Sequence, residues 1–183
     1  KIIGSKGKEV IRKNKEFNKT KFFPDAKINY AENILKKKNE DIAINFLSEA
    51  GFEEKISWSD LYYKVCKLSF YFKSIDLKPG DRVAAYVPNK IESVICFLAC
   101  AKNGIIWSSC SPDFGVRGVV DRFKQIKPKV LITSDFYYYN GKKNNILERI
   151  EDILKLIPSI KKVIVFPYIN NNKMNINNFE NFN

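Results

Sequence analysis

The chain has 183 residues, 45% of them hydrophobic and 28% charged, with no histidine and a net charge of +12. That balance builds one sizeable core and excludes a disordered tail, a collagen-like repeat and a disulfide-dense secreted module. The missing histidine also removes Ser/His/Asp and Cys/His triads and most catalytic zinc sites.

Residues 1–40 hold 12 Lys and Arg against 5 Asp and Glu, whereas residues 41–140 hold 13 against 11. Lys (27), Ile (23) and Asn (19) are abundant while Arg numbers 5. A/T-rich codons encode all three, and readers of nucleic-acid phosphates and grooves draw on arginine. The basic excess is read as base-composition bias, with no nucleic-acid partner expected.

Residues 1–21 are lysine-rich and poorly periodic, and read as a flexible or peripheral arm. Tyr30, Ile34 and Leu35 fall on helical spacing, and Lys36, Lys37 and Lys38 close that short helix favourably for its dipole. Ile42 to Leu47 and Lys55 to Trp58 read as strands of a hairpin joined through Ser48-Glu49-Ala50-Gly51. Ser57 and Asp60 spell a capping box that opens a helix carrying Leu61, Val65, Leu68, Phe72 and Ile75. Strands and helices then alternate: strand 82–87, helix face 91–98 stopped by Gly104, strand 105–109, helix face 116–126, strand 129–133, helix 146–157, strand 162–166. This rhythm predicts an α/β fold with a parallel sheet and right-handed crossovers. The division expected is a basic arm and short helix over 1–40, an α/β unit over 41–167 and an Asn-rich low-complexity tail over 168–183.

The four cysteines lack metal-ligand spacing, and Cys96 and Cys100 fall in an apolar helical stretch. They read as reduced core thiols, which point to the cytoplasm. The longest apolar run, Val94 to Ala101, is far short of the ~20 residues of a membrane span. The start at Lys1-Ile2-Ile3 carries no signal pattern, and both ends read as cut points within a longer protein.

In parallel sheets ligands collect beyond the carboxyl ends of the strands. Three loops lie there: Pro88-Asn89, Ser108 to Gly115, and Ser134 to Lys143. In the second, Ser111 reads as a helix cap with Pro112 at the first helical position, the alternative being an anion site at the helix N-terminus. In the third, Tyr137, Tyr138 and Tyr139 beside Lys142 and Lys143 can stack a base and hold a phosphate, or be a tyrosine-rich surface loop with solvated lysines.

Three stretches carry a family resemblance. Residues 22–35, FFPDAKINYAENIL, resemble the F-P-G-A-x-x-N-Y-A-E-N segment of acetyl- and acetoacetyl-CoA synthetases, with Phe22 where Trp is usual and Asp25 where Gly is usual. Residues 79–103, PGDRVAAYVPNKIESVICFLACAKN, resemble the first Rossmann-like unit of those enzymes. Residues 107–131, WSSCSPDFGVRGVVDRFKQIKPKVL, are similar to the acetoacetyl-CoA branch, spelling S-P-D-F-G where acetyl-CoA synthetases have S-P-E-A. The resemblance implies a Rossmann-like sheet with flanking helices, part of the large N-terminal domain of an adenylate-forming enzyme. It implies an AMP-forming acid–thiol ligase using acetoacetate, ATP, Mg2+ and CoA. It also implies that Lys142 and Tyr139 contact the nucleotide phosphates of CoA, counted from Ile132-Thr133-Ser134-Asp135; Tyr139 stands where an Arg is usual. Alternatives are a ligase for another short-chain acid, a basic binding module for an acidic partner, and a separate regulatory scaffold. The family's Ser/Thr/Gly-rich phosphate loop ending in Lys, and its adenylation lysine, are not found among these residues, so no catalytic or metal residue is assigned. Residues 1–183 alone are therefore expected to give background in acetoacetate-dependent exchange of pyrophosphate into ATP; turnover above background would overturn that expectation.

Overall fold

The structure, a computed structural model, describes residues 1–169. The N-terminal stretch is peripheral but paired. Strand β1 (Ile11–Arg12) lies antiparallel to β2 (Lys21–Phe22), and Ser5 bridges Lys27. Asn33 clamps Ile3 with its side-chain amide, accepting from the backbone N–H and donating to the carbonyl, both at 2.8 Å. Asn33 belongs to α1 (Tyr30–Ile34), whose first turn is capped by Asn29 Oδ1. The lysines after it serve elsewhere: Lys36 reaches the Lys1 carbonyl, Lys37 pairs with Asp41, and Lys38 sits 4.0 Å above the Tyr62 ring.

The expected hairpin forms from β3 (Ile42–Leu47) and β4 (Glu53–Ser57), in antiparallel register. Ser57 caps α2 (Trp58–Ser74) by accepting from the Asp60 N–H at 3.1 Å. The helix ends in a Schellman turn, with the Leu77 N–H on the Phe72 carbonyl and the Asp76 N–H on that of Lys73. Asp76 takes the left-handed position, φ 58°, usually given to glycine.

The central unit runs β5 (Arg82–Tyr86), α3 (Ile91–Lys102), β6 (Ile106–Cys110), α4 (Val116–Ile126) and β7 (Val130–Ser134). It continues through β8 (Phe136–Tyr139) and β9 (Lys142–Asn145) into α5 (Leu147–Leu156) and β10 (Lys162–Phe166). The boundaries of β5, β6, β7 and β10 fall within a residue of those expected from periodicity, and α3 ends as expected at Gly104, φ 68°, in a second Schellman turn. The parallel sheet has the order β10-β7-β5-β6. Side chains alternate across it: Val83, Ala85, Val130 and Ile132 pack toward α2 and α3, while Ala84, Tyr86 and Leu131 pack toward α4 and α5. Helices thus cover both faces, and chain direction across the sheet reverses between β5 and β7.

The amino ends of the strands are tied by charge. Asp81 accepts from the Lys78 N–H and from Lys129 Nζ, both at 2.8 Å, and these contacts hold its carboxyl below the usual range. Arg82 donates to the last carbonyls of α4, Ile126 and Lys127.

Two expectations are corrected. The stretch after β7 is no irregular loop: β8 and β9 pair as a hairpin around Asn140-Gly141. Both turn residues have positive φ (51° and 70°), as a type I′ turn requires. The helix after β6 is capped at Gly115 rather than Ser111. Ser111 Oγ instead closes a local turn, accepting from the Asp113 N–H and donating to the Asp113 carboxylate. The Asn-rich stretch lies, from residue 170, outside the described residues, whereas Tyr168 is buried.

Since Asp76 is strained and its side chain is 83% exposed, Asp76→Gly should raise the unfolding free energy by about 0.5–1 kcal/mol. Urea denaturation checks this; Asp76→Ala should give no such gain.

Candidate functional site

Loops after β5, β6 and β7 converge where the chain reverses. A cleft of about 580 Å³ opens on the β5–β6 side of this edge, lined by Phe46 of β3, Val87 to Ile91, Phe97 of α3, and Trp107, Ser109, Cys110 and Ser111. Its floor holds a charge. The Lys90 side chain is 0% exposed, with Nζ 2.9 Å from Glu54 Oε2 and 2.6 Å from Glu92 Oε2, each carboxylate side chain being 17% exposed. Lys90 caps α3 without a side-chain bond to it, while Ser93 Oγ holds the Pro88 carbonyl at 2.7 Å. A buried ammonium is tolerated because two acceptors replace its water.

The S-P-D-F-G loop is gripped from below. The Tyr86 hydroxyl proton is shared between the carbonyl oxygens of Pro112 (2.8 Å) and Phe114 (2.6 Å). Arg149 Nη1 donates to Tyr86 Oη and to Pro112 O, both at 2.9 Å. Burial raises the Tyr86 phenol, opposed by Arg149, and burial with the neighbouring Asp113 carboxylate pushes Tyr137 up to about 12. Both phenols stay neutral donors at physiological pH. The Arg122 guanidinium lies 4.0 Å from the Phe114 ring.

Tyr139 and Lys142 are brought together. They face each other in register as the last pair before the Asn140-Gly141 turn, both exposed, Tyr139 by 60%. Of the other aromatics in this stretch, Phe136 and Tyr137 are core residues, and Lys143 lies 4.0 Å from the Phe136 ring. Asp135 anchors the hairpin's base: its Oδ1 accepts from the N–H groups of Phe136 and Tyr168, both at 2.8 Å. Tyr168 touches Phe136, Tyr138 and Phe46, so an aromatic cluster stands between hairpin and cleft.

Sequence reasoning missed Lys90, Glu54, Glu92 and Arg149. The signal for Lys90 was its place in the loop after a strand; for Arg149, whose partner is 63 residues away, there was none. Cys66, Cys96, Cys100 and Cys110 are all free, and burial pushes the Cys96 and Cys110 thiols up to about 12 and about 11. Among the described residues no group of three or more His, Cys, Asp or Glu is arranged to hold a metal ion. Nor is any helix among them long and apolar enough to cross a membrane.

Residues 31–180 match the family described as AMP-binding enzyme. The chain belongs to that family. As an AMP-binding family member it is 41% identical over 164 residues to the acetoacetyl-CoA synthetase of Xenopus tropicalis, covering 88% of this chain and 24% of that protein. To the acetoacetyl-coenzyme A synthetase of Rhizobium meliloti it is 38% identical over 168 residues, covering 92% and 26%. The solved structure of acetoacetyl-CoA synthetase from Streptomyces lividans matches with a TM-score of 0.83 and 32% identity, covering 91% of this chain and 26% of that one. The chain spans about a quarter of the length of the curated relatives it matches. The α/β fold expected from the alternation of strands and helices, a parallel sheet with flanking helices, is the one observed.

The buried ammonium in this AMP-binding unit gives a direct test. Lys90→Met leaves two carboxylates facing each other and should lower the unfolding free energy by about 3–5 kcal/mol. Adding Glu54→Gln and Glu92→Gln should recover at least half of that loss in urea titrations. A single variant as stable as wild type would mean that Lys90 is not needed to neutralise them.

Proposed function

We propose that this chain is the amino-terminal part of an ATP-dependent acetoacetate–CoA ligase. The supporting observation is the joint match, in sequence over 88% of the chain and in fold at a TM-score of 0.83, to acetoacetyl-CoA synthetases. In the proposed reaction the acetoacetate carboxylate attacks the α-phosphate of ATP and pyrophosphate leaves. The CoA thiol, giving up its proton, then attacks the acyl carbon and AMP leaves. The logic is leaving-group activation, since a carboxylate resists attack and a mixed anhydride with AMP does not. ATP and CoA are the proposed co-substrates. Mg2+ is the ion proposed to accompany the nucleotide, and no step of this chain's own residues is assigned to it.

Residues 1–40, as arm and short helix, and 41–167, as the first part of the AMP-binding α/β domain, are the proposed units. Small molecules rather than nucleic acid are the proposed partners, supported by the near-balance of charge over residues 41–140. The cytoplasm is the proposed location, supported by four free thiols.

Within this reading Lys142 holds a CoA phosphate, and Tyr139 across the turn adds its ring or hydroxyl. Support comes from their register as a facing pair and from their exposure. In the complete enzyme Lys142→Ala removes one charge-assisted contact, worth about 1.5–3 kcal/mol. The KM for CoA should rise roughly ten- to 150-fold. Acetoacetate-dependent exchange of pyrophosphate into ATP should be unchanged, because CoA is not needed for it. An unchanged KM for CoA would remove the site assignment. Exchange supported by a different short acid and not by acetoacetate would remove the substrate.

A further inference from the structure

Strands β8 and β9 form a two-stranded ribbon, separate from the parallel sheet among the described residues. Such ribbons are marginal on their own in water. The base of this one is fixed by Asp135 and by the burial of Phe136 and Tyr137. Its tip lies three residues further out, about 10 Å at the rise of a strand. Tyr139 and Lys142 stand there, exposed.

A carboxylate 91 residues earlier holds the tip. Glu49 Oε2 accepts from the Asn140 N–H at 3.1 Å, and Oε1 accepts from the Gly141 N–H at 2.9 Å. Both oxygens of one side chain thus grip consecutive N–H groups of the turn. Glu49 itself sits on a tight turn between β3 and β4, where the Gly51 N–H donates to the Ser48 carbonyl and the Phe52 N–H to Ser48 Oγ. Ser48 is buried, so the grip comes from a fixed point.

We propose that Glu49 is a positioning residue for CoA: its carboxylate locks the Asn140-Gly141 turn and so holds Lys142 and Tyr139 ready for the CoA phosphates. This rests on the reading of Lys142 given above. The sign of the effect is diagnostic. Glu49 is an anion beside a site for anions, so Coulombic repulsion alone makes its removal tighten CoA. Positioning does the reverse, because affinity falls with the fraction of turns in the competent arrangement. Glu49→Gln separates the two, since its amide oxygen still accepts from the turn while the charge is gone.

The test uses the complete enzyme, with KM for CoA measured against KM for ATP and with hydrogen exchange at the Asn140 and Gly141 amides. Glu49→Ala should raise KM for CoA relative to ATP by roughly three- to thirtyfold, as a turn competent about a third to a thirtieth of the time would. It should also speed exchange at both amides, with Glu49→Gln causing a smaller rise than Ala. If Lys142→Ala raises KM for CoA while Glu49→Ala leaves it unchanged or lowers it, the positioning role is overturned and the CoA site stands. Unaltered amide exchange in Glu49→Ala overturns the tether itself. If Lys142→Ala leaves KM for CoA unchanged, the CoA reading fails and takes the role of Glu49 with it.

Discussion

A parallel sheet has to be kept dry on both faces, and the arrangement of this chain follows from that constraint. Along β5 the residues Val83, Ala84, Ala85 and Tyr86 are all fully buried, alternately toward α2 and α3 and toward α4 and α5. Covering both faces with right-handed crossovers forces the chain to reverse between β5 and β7. At the carboxyl edge of that sheet the loops after β5 and β6, with β3 and α3, enclose a cleft. The site is thus a consequence of burial, made before any polar residue is placed.

Irregular backbone beyond the strand ends brings carbonyl and N–H groups that the sheet no longer pairs. Side chains answer them, and most of those side chains are charged. Asp135 takes two N–H groups, Arg149 and Tyr86 share the Pro112 carbonyl, Arg82 takes the end of α4, and Glu49 takes the turn of the β8–β9 hairpin. Charged groups are effective here because hydrogen bonds to them are stronger than neutral ones. Much of the chain's ordinary charge is therefore local scaffolding, and the basic excess of residues 1–40 is spread over exposed lysines such as Lys36 and Lys37 with nearby partners.

The regular elements were legible because each writes its period into the sequence. Ser57 before Asp60, the 61–75 helix face and Gly104 each sit where the residue chemistry demands. The β8–β9 hairpin was harder. Its second strand, Lys142 to Asn145, is composed of residues poorly suited to strands, so only the Asn140-Gly141 pair announced it. Ser111 misled for a different reason: a Ser-Pro-Asp stretch serves a turn or a helix cap equally well, and the rest of the loop decides. The candidate pair Tyr139 and Lys142 was found through a family resemblance, whereas the Lys90–Glu54, Arg149–Tyr86 and Glu49–Asn140 contacts span 36, 63 and 91 residues, which no local pattern encodes.

Those long-range partners also link parts of the chain that are far apart in sequence. The β3–β4 hairpin sends Glu54 to Lys90 under the cleft and Glu49 to the β8–β9 turn, while its Phe46 joins the aromatic cluster around Tyr168. One small antiparallel element, outside the parallel sheet, therefore contacts both the cleft floor and the turn that carries Lys142. A shift of that hairpin would move the two together. The sheet supplies the frame, and three contacts from a single ribbon connect the cleft with the turn that carries Lys142. The ribbon is itself held by the packing of Ile44, Phe46 and Ile56 on the core.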